Sequence, residues 1–394
     1  MIAYNKTLLD NFYLNEEVRV LKKAGFINPE QQNTFEKKHP QLKTQNNIFM
    51  RIGLFILGLF LYSSICGMLS LLVLGNSENE YLYFIYFFAL IGFATKEYMS
   101  KALLYFGYGL DDAFILGAIS ALLIAVGLTF EKNYDTNYLA ILVVMAIISS
   151  VTYLRYLNIT LALLACMGIT ATLAYSVFNY LIIGKTILPF VFLLYSGIFY
   201  FLAKKALQNL TLPYYYQGLK LAQGFCLILF YLAGNYYVVR ELNASLSESY
   251  FEGGSPEIPF ALLFWAFTII TPIAYLFFSL KNKDRMMLWI GFLAFCFSIF
   301  SFRIYYHILP TEVALSIGGL LLFAFTYFAI KKTKYKETGI TFKVDRFTNP
   351  DAFANLQIIV SASQLGVKPE VKVEDSPIEF GGGGFSGGGS SGEF

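Results

Sequence analysis

The chain has 394 residues and a formal net charge of +3, and its residues are 57% hydrophobic and only 14% charged. Soluble domains carry about a quarter charged residues, so this composition excludes an ordinary soluble protein and indicates a membrane protein. Neither a metal site nor a cofactor is predicted, because the four cysteines lie one at a time in separate apolar runs and no P-loop, GxSxG or HExxH motif occurs.

Residues 1–47 precede the first long apolar run and predict a small cytoplasmic helical hairpin. Its first helix is predicted over NEEVRVLKKAGF, with Asn15 as the N-cap. The second is predicted over NPEQQNTFEKKHP, where Asn28 caps the helix and Gln31 completes a capping box. Because such a hairpin buries too little surface to be stable alone, we expect it to dock on the membrane bundle or on a partner.

The motif VRVLKKAGFINPEQQ, followed shortly by an apolar run, resembles the start of a family of uncharacterised bacterial polytopic membrane proteins. In that domain-of-unknown-function family a short "AG…PEQ" helical pair precedes many membrane spans. The resemblance covers about the first third of the chain. It implies a bacterial inner-membrane location and supplies no catalytic residues.

Ten apolar runs are long enough, or nearly so, to cross a bilayer as helices. The sequence therefore predicts an all-α integral membrane protein with a ten-helix transmembrane domain over residues 48–330. The predicted spans are 48–75, 81–95, 112–130, 138–154, 157–183, 186–203, 218–239, 259–280, 286–302 and 311–330.

The distribution of basic residues predicts the orientation, because Lys and Arg that flank a span are retained on the cytoplasmic side. If the N-terminus is cytoplasmic, only four of the 29 basic residues fall outside: Lys132, Lys185, Arg240 and Arg303. The sequence therefore predicts that both termini are cytoplasmic, with residues 240–258 as the largest external loop.

The stretch GYGLDDAFILGAIS places Asp111 and Asp112 beside an apolar run, where carboxylates are expensive. On the predicted layout they stand at the inner end of the third span, where they would cap the helix and meet its positive dipole end. A binding role is the alternative. If the short apolar stretch 102–110 dips into the membrane, the two aspartates would line a polar vestibule; if it lies flat at the interface, they would not.

Further candidate ligand-binding residues lie within the seventh and eighth spans. Pro272 lacks an N–H and frees the carbonyl of Thr268, which the hydroxyls of Thr268 and Thr271 are expected to compensate. The helix is expected to kink at this proline, and such a kink is also a place where a small polar ligand would bind. Gln223 and Asn235 are polar residues inside an apolar run. Each is expected either to bind a ligand or to form a hydrogen bond with a neighbouring helix.

Small residues at four-residue spacing, Gly117, Ala121 and Ala125, predict a helix-packing seam on the third span. The pair Gly53 and Gly58 gives a weaker version of the same signal.

After residue 330 the sequence predicts a cytoplasmic segment, 331–367, that is compatible with a short strand and a short amphipathic helix. Residues 368–394 form a flexible Gly/Ser-rich tail, which is either a spacer or a tethered peptide that docks its aromatic residues on a partner. Those aromatic residues are Phe380, Phe385 and Phe394.

The leading hypothesis from the sequence is a non-enzymatic inner-membrane protein that acts by association with protein partners through the hairpin and the tail. The alternative is a permease or channel-like carrier of a small neutral or lipidic molecule. Membrane lipids are expected partners and nucleic acid is not, since retained positive loops explain the basic inner face. A polar cavity that reaches Thr268, Thr271 or Asn235 would favour transport, and a dry, tightly packed bundle would favour association.

Overall fold

The computed structural model describes residues 2–23, 26–71, 78–133, 138–180, 184–210, 212–247 and 255–306, together with part of 313–331. The predicted strand and helix within 331–367, and the tail with Phe380, Phe385 and Phe394, lie outside the described residues. The named helices of the described part are α1 Lys6–Lys23, α2 Pro29–Lys38, α3 Ile48–Leu71, α4 Glu78–Lys101, α5 Leu110–Asn133, α6 Tyr138–Tyr156, α7 Ile159–Tyr180, α8 Gly184–Gln208, α9 Tyr216–Gly234, α10 Tyr236–Ser247, α11 Ala261–Asn282 and α12 Arg285–Tyr306.

Eight of these helices, α3, α5 to α9, α11 and α12, are long and apolar enough to cross a membrane. The predicted all-helical membrane class is therefore confirmed. Helix α4 occupies the predicted second span but is not among the eight, and its last turns carry the charged residues Lys96, Glu97 and Lys101. The predicted tenth span, 311–330, lies largely outside the described residues, so the total of ten remains a prediction.

The helices pack mainly as antiparallel pairs of chain neighbours: α4 with α5, α6 with α7, α8 with α9, and α11 with α12. Helix α3 packs against α5. Helix α9 contacts α7, α8, α11 and α12, and half of its membrane-spanning window is buried inside the protein. Helix α9 is therefore the central element of the second half of the bundle.

Small residues allow α3 and α5 to approach each other closely. A Cβ added at Gly117 would lie 2.6 Å from the Tyr62 ring of α3, and one added at Gly58 would lie 2.7 Å from the Cβ of Ala113. Ala125 is fully buried and Ala121 is half-buried. Ala113 and Gly117 of α5 thus lie where α3 crosses it, whereas a Cβ at Gly53 would meet open space.

The N-terminal hairpin is present, but its first helix starts earlier than the sequence predicted. Helix α1 begins at Lys6, because the side-chain oxygen of Asn5 accepts the N–H groups of Thr7 and Leu8. Asn15 is therefore not a cap: it lies inside the helix, fully buried, and its amide donates to the carbonyl of His39. The second helix begins as predicted.

The second helix shows the predicted capping chemistry. Asn28 precedes α2, Pro29 is its first residue, and the backbone N–H of Asn28 donates to the Gln31 side chain over 2.9 Å.

The hairpin packs on one end of the bundle. Tyr4, Leu9 and Leu42 form a buried cluster with Tyr214, which immediately precedes α9. The connection between α4 and α5 joins this contact: the N–H of Lys43 donates to the Leu104 carbonyl, and the N–H of Phe106 donates to the Lys43 carbonyl. The apolar stretch 102–110 is thus packed against the N-terminal segment.

Replacement of Gly58 by Ala should destabilise the protein by about 1–3 kcal/mol, because the new methyl group would overpack the contact between α3 and α5. Gly53→Ala is the matched control on the same helix, and we expect no loss of stability from it. The measurement is thermal unfolding of the purified variants in detergent. Equal melting temperatures for the two variants would contradict the packing described here.

Candidate functional site

Two groups of interacting polar side chains join helices of the described bundle, one beneath the N-terminal hairpin and one near the other end of α9. The first, here called the charged cluster, consists of Arg51, Lys96, Asp111, Asp112 and Asn158. The ammonium group of Lys96 lies 2.6 Å from Oδ2 of Asp111, and both side chains are fully buried. This ion pair ties the last turns of α4 to the first turn of α5.

The second oxygen of Asp111 binds the chain that leads into α5. Its Oδ1 accepts the backbone N–H groups of Tyr108 at 2.9 Å and Gly109 at 3.1 Å. Gly109 has a φ of +101°, and an added Cβ would collide with the backbone carbonyl of Arg51, so this close approach requires glycine. Asp111 is thus in the first helical turn, as predicted. Its carboxylate, however, binds the N–H groups of the preceding loop and the buried Lys96 ammonium.

Asp112 connects α5 to two other helices. Its Oδ2 lies 2.6 Å from the Arg51 guanidinium on α3, and its Oδ1 accepts a hydrogen bond of 2.6 Å from the Asn158 amide, just before α7. The Arg51 side chain is 44% exposed, so this pair lies at the edge of the bundle, unlike the pair of Lys96 and Asp111.

Residues at the N-terminus cover the charged cluster. The ammonium group of Lys96 lies 5.6 Å from the ring centroid of Tyr4 and 5.7 Å from that of Tyr156. The Tyr4 hydroxyl donates to the Tyr156 carbonyl, and burial raises the pKa of Tyr4 above its usual value, which keeps the hydroxyl protonated. The N–H of Ala3 donates to the Arg155 carbonyl over 3.0 Å. The N-terminal segment thus closes this end of the bundle.

The second group surrounds the break between α9 and α10. The sequence predicted a span over 218–239; a membrane-length helix is present there, but it ends at Gly234, and Asn235 has an extended ψ of 124° before α10 begins. The Asn235 side-chain oxygen accepts the N–H of Val238 and so caps α10. An asparagine inside an apolar run was the available signal for this break.

The helix-break site, as we call it, consists of Tyr231, Asn235, Thr268, Ser298 and Ser301. The Asn235 amide donates to the hydroxyl groups of Tyr231 at 3.0 Å and Ser301 at 3.2 Å. The Tyr231 hydroxyl also lies 2.8 Å from Oγ of Ser298. The site is therefore a ring of neutral groups, each of which both donates and accepts, contributed by α9, α11, α12 and the break itself.

Pro272 shapes this site from α11. The sequence predicted that Thr268 and Thr271 would compensate the carbonyl freed by the proline, but Oγ of Ser298 on α12 lies 2.7 Å from that Thr268 carbonyl. The Thr268 hydroxyl instead donates to the Phe264 carbonyl and accepts the N–H of Tyr236, the first residue of α10. Helix α11 thus accepts the first N–H of α10, and α12 supplies the donor for the carbonyl that Pro272 frees.

The structure separates the remaining candidates from this site. Thr271 and Gln223 are buried, but Gln223 lies more than three helical turns before Asn235 on α9. Asp111 and Asp112 lie at the hairpin end of the bundle, where α9 begins, about 28 Å from Asn235 along the α9 axis. The predicted ligand-binding residues therefore do not form a single site.

Sequence reasoning missed six members of the two groups: Arg51, Lys96, Asn158, Tyr231, Ser298 and Ser301. Lys96 was assigned to a loop because its apolar run ends at residue 95, whereas α4 continues to Lys101. A lysine at the end of one apolar run and an aspartate at the start of the next were the available signal.

A comparison of this chain with protein-family models, with curated proteins and with solved structures finds no match. The resemblance of the N-terminal motif to a bacterial membrane protein family therefore remains a prediction.

Asp111→Asn should destabilise the protein far more than Asp112→Asn. The first change leaves the Lys96 ammonium buried without its partner, which costs about 3–5 kcal/mol. The second breaks a pair whose arginine is 44% exposed, and we expect a loss of no more than about 2 kcal/mol. The measurement is thermal unfolding in detergent at neutral pH.

Lys96→Met in the Asp111→Asn background serves as the test of mechanism, because it removes the unpaired charge and should restore part of the lost stability. Equal losses for the two asparagine variants, together with no recovery in the double variant, would refute the assignment of Lys96 and Asp111 as a buried ion pair.

Proposed function

We propose that this protein is a membrane carrier for small, neutral, hydrogen-bonding molecules, and that the helix-break site binds them. The single observation that carries the proposal is the interruption of the central helix α9 at Asn235, inside a ring of neutral polar side chains. Backbone that leaves the helical conformation at membrane depth is tolerated where it is buried in protein or lines a cavity, and discontinuous helices form substrate sites in many carriers.

The chemistry of the ring supports a neutral substrate. None of the five side chains of the helix-break site carries a charge at neutral pH, so a charged substrate would lose its hydration without a counter-charge. Asparagine, serine and threonine side chains exchange hydrogen bonds with one another as readily as with hydroxyl or amide groups of a solute. Small polyols and amides fit this requirement.

A pocket lies beside the site on the side away from the hairpin, and neither Asn235 nor Thr268 is among its lining residues. The pocket, of about 20 Å³ and with room for about one water molecule, lies between α8, α10 and α11. Phe264 lines it, and the Phe264 carbonyl accepts the hydrogen bond of the Thr268 hydroxyl. The pocket therefore reaches within one helical turn of the helix-break site.

The second proposal is association with protein partners, without transport. It is favoured by the internal pairing of the helix-break site, since Asn235, Ser298 and Ser301 find hydrogen-bond partners within the protein and require no ligand. On this proposal residues 368–394 supply the partner contact.

We further propose an inner-membrane location with both termini in the cytoplasm. The basic residues Lys43, Lys101 and Lys205 lie at the hairpin end of the bundle, as retention of positive charge requires. Reporter fusions at Ser249 and at the C-terminus should report opposite compartments, with the C-terminus in the cytoplasm. Two reporters in the same compartment would contradict the ten-span layout.

The carrier proposal predicts solute flux through the purified full-length protein in proteoliposomes. Stopped-flow light scattering with glycerol, erythritol, urea and acetamide should show a rate above that of protein-free vesicles for at least one solute. Ser301→Ala should lower this rate about fivefold, the effect of about one lost hydrogen bond.

Ser279→Ala is the matched control, because Ser279 is also a buried serine of a membrane helix but pairs with the Leu276 carbonyl near the other end of α11. Its flux should equal that of the parent. Flux no higher than in protein-free vesicles for every solute would refute the carrier proposal. In that case, loss of co-purified partners on deletion of 368–394 would support association.

A further inference from the structure

Helix α10 is attached to the bundle in a way that distinguishes it from its neighbours. It follows α9 after the single residue Asn235, whose extended conformation interrupts the helix. A backbone break of this kind is a place where φ and ψ change without disturbing packed helices on either side. Asn235 is thus both a member of the helix-break site and the point about which α10 can turn.

Arg240 holds the first turns of α10 together with Tyr236, whose ring stacks on Trp265 at 4.5 Å. The Arg240 guanidinium donates through Nε to the Ser255 carbonyl at 3.0 Å, and its Nη2 binds the same oxygen. Its Nη1 donates to the Tyr236 hydroxyl, and its central carbon lies 4.6 Å from the ring centroid of Tyr305 on α12. Arg240 therefore fastens α10 to the segment before α11 and to α12.

The neighbouring Glu241 strengthens this attachment. Its Oε1 accepts hydrogen bonds from the Ser255 hydroxyl at 2.6 Å and from the Tyr305 hydroxyl at 3.0 Å. Arg240 and Glu241 thus bind the same two residues, and a single change at either position weakens a shared set of contacts.

The packing beneath α10 is incomplete. Val239, Leu242, Asn243 and Leu246 of α10 form one wall of the 20 Å³ pocket, and Leu188 and Phe264 are on the opposite walls. A void in an apolar contact forfeits dispersion energy. Because Tyr236 and Val239 are buried in a cluster with Ile258 and Phe264, the void weakens the contact of the later turns of α10 rather than that of its first turn. The backbone break at Asn235, the contacts of Arg240 and the void all involve α10.

We propose that α10 is a movable lid over the helix-break site, hinged at Asn235 and latched by Arg240 to Ser255 and Tyr305. The proposal rests on the proposed function for its purpose, since the lid would admit solute to the site. The motion itself makes no use of transport. Release of the Arg240 latch turns α10 outward, widens the pocket and exposes its walls on α8 and α11.

The test measures access to the pocket with a thiol reagent. Cys66, Cys166, Cys226 and Cys296 are replaced by Ala in the full-length chain, and Leu188→Cys places one thiol in the buried wall of the pocket on α8. In detergent solution, Arg240→Ala should raise the rate at which N-ethylmaleimide labels position 188 by about tenfold or more, the effect expected for lost hydrogen bonds to a charged group.

Two variants make the result decisive. Arg285→Ala removes the same side chain at the opposite end of the bundle and should leave the labelling rate unchanged. Arg240→Lys keeps the charge but loses the bidentate contact and should give an intermediate rate; it also carries the test if Arg240→Ala does not fold. Labelling rates that do not rise in either Arg240 variant would overturn the lid. Faster labelling without solute flux would support the lid and refute the carrier.

Discussion

Inside a membrane every polar group must find its partner within the protein, because hydrocarbon offers no water to replace a missing hydrogen bond. The described part of this bundle meets that requirement at two places by joining helices that are distant in sequence. Asp112 binds Arg51 and Asn158, which lie 61 and 46 residues away. Asn235 binds Ser301, 66 residues away. The polar groups therefore decide which helices meet, while apolar and small residues decide how closely they pack.

The charged cluster and the helix-break site differ in electrostatics: the first contains ion pairs and the second contains only neutral groups. At the charged cluster, Lys96 and Asp111 pay a large desolvation cost that only their mutual contact and the N–H groups of the loop offset. Such a pair is fixed, because separating its members would leave a charge in an apolar interior. The helix-break site contains only neutral groups, and each neutral hydrogen bond contributes about 1 kcal/mol. Its partners are therefore exchangeable at a cost that a bound solute can repay.

The sequence predicted the chemistry of these places better than their geometry. The sequence identifies the acids at the start of α5, Pro272 and Asn235, because each is a polar or helix-breaking residue next to or within an apolar run. Their partners are not visible in the same way: Ser298 and Ser301 are ordinary in a membrane helix, and Lys96 looks like the basic end of a span. The start of α1 was missed because Asn5 and Asn15 are equally good caps locally, and only burial of Leu9 and of Tyr4 selects the earlier one.

The two ends of the bundle are closed by different means, and the proposed carrier would need such an asymmetry. At the hairpin end, the N-terminal segment covers a charged pair, and Ala3 and Tyr4 both bind backbone carbonyls of α6. At the other end, the short helix α10 borders a void and contacts the segment before α11 and α12 through Arg240 and Glu241. Opening the first end would uncover a fully buried ion pair, whereas moving α10 would separate the half-buried Arg240 and Glu241 from Ser255 and Tyr305. On the carrier proposal, the lower cost of the second opening favours access from the α10 side.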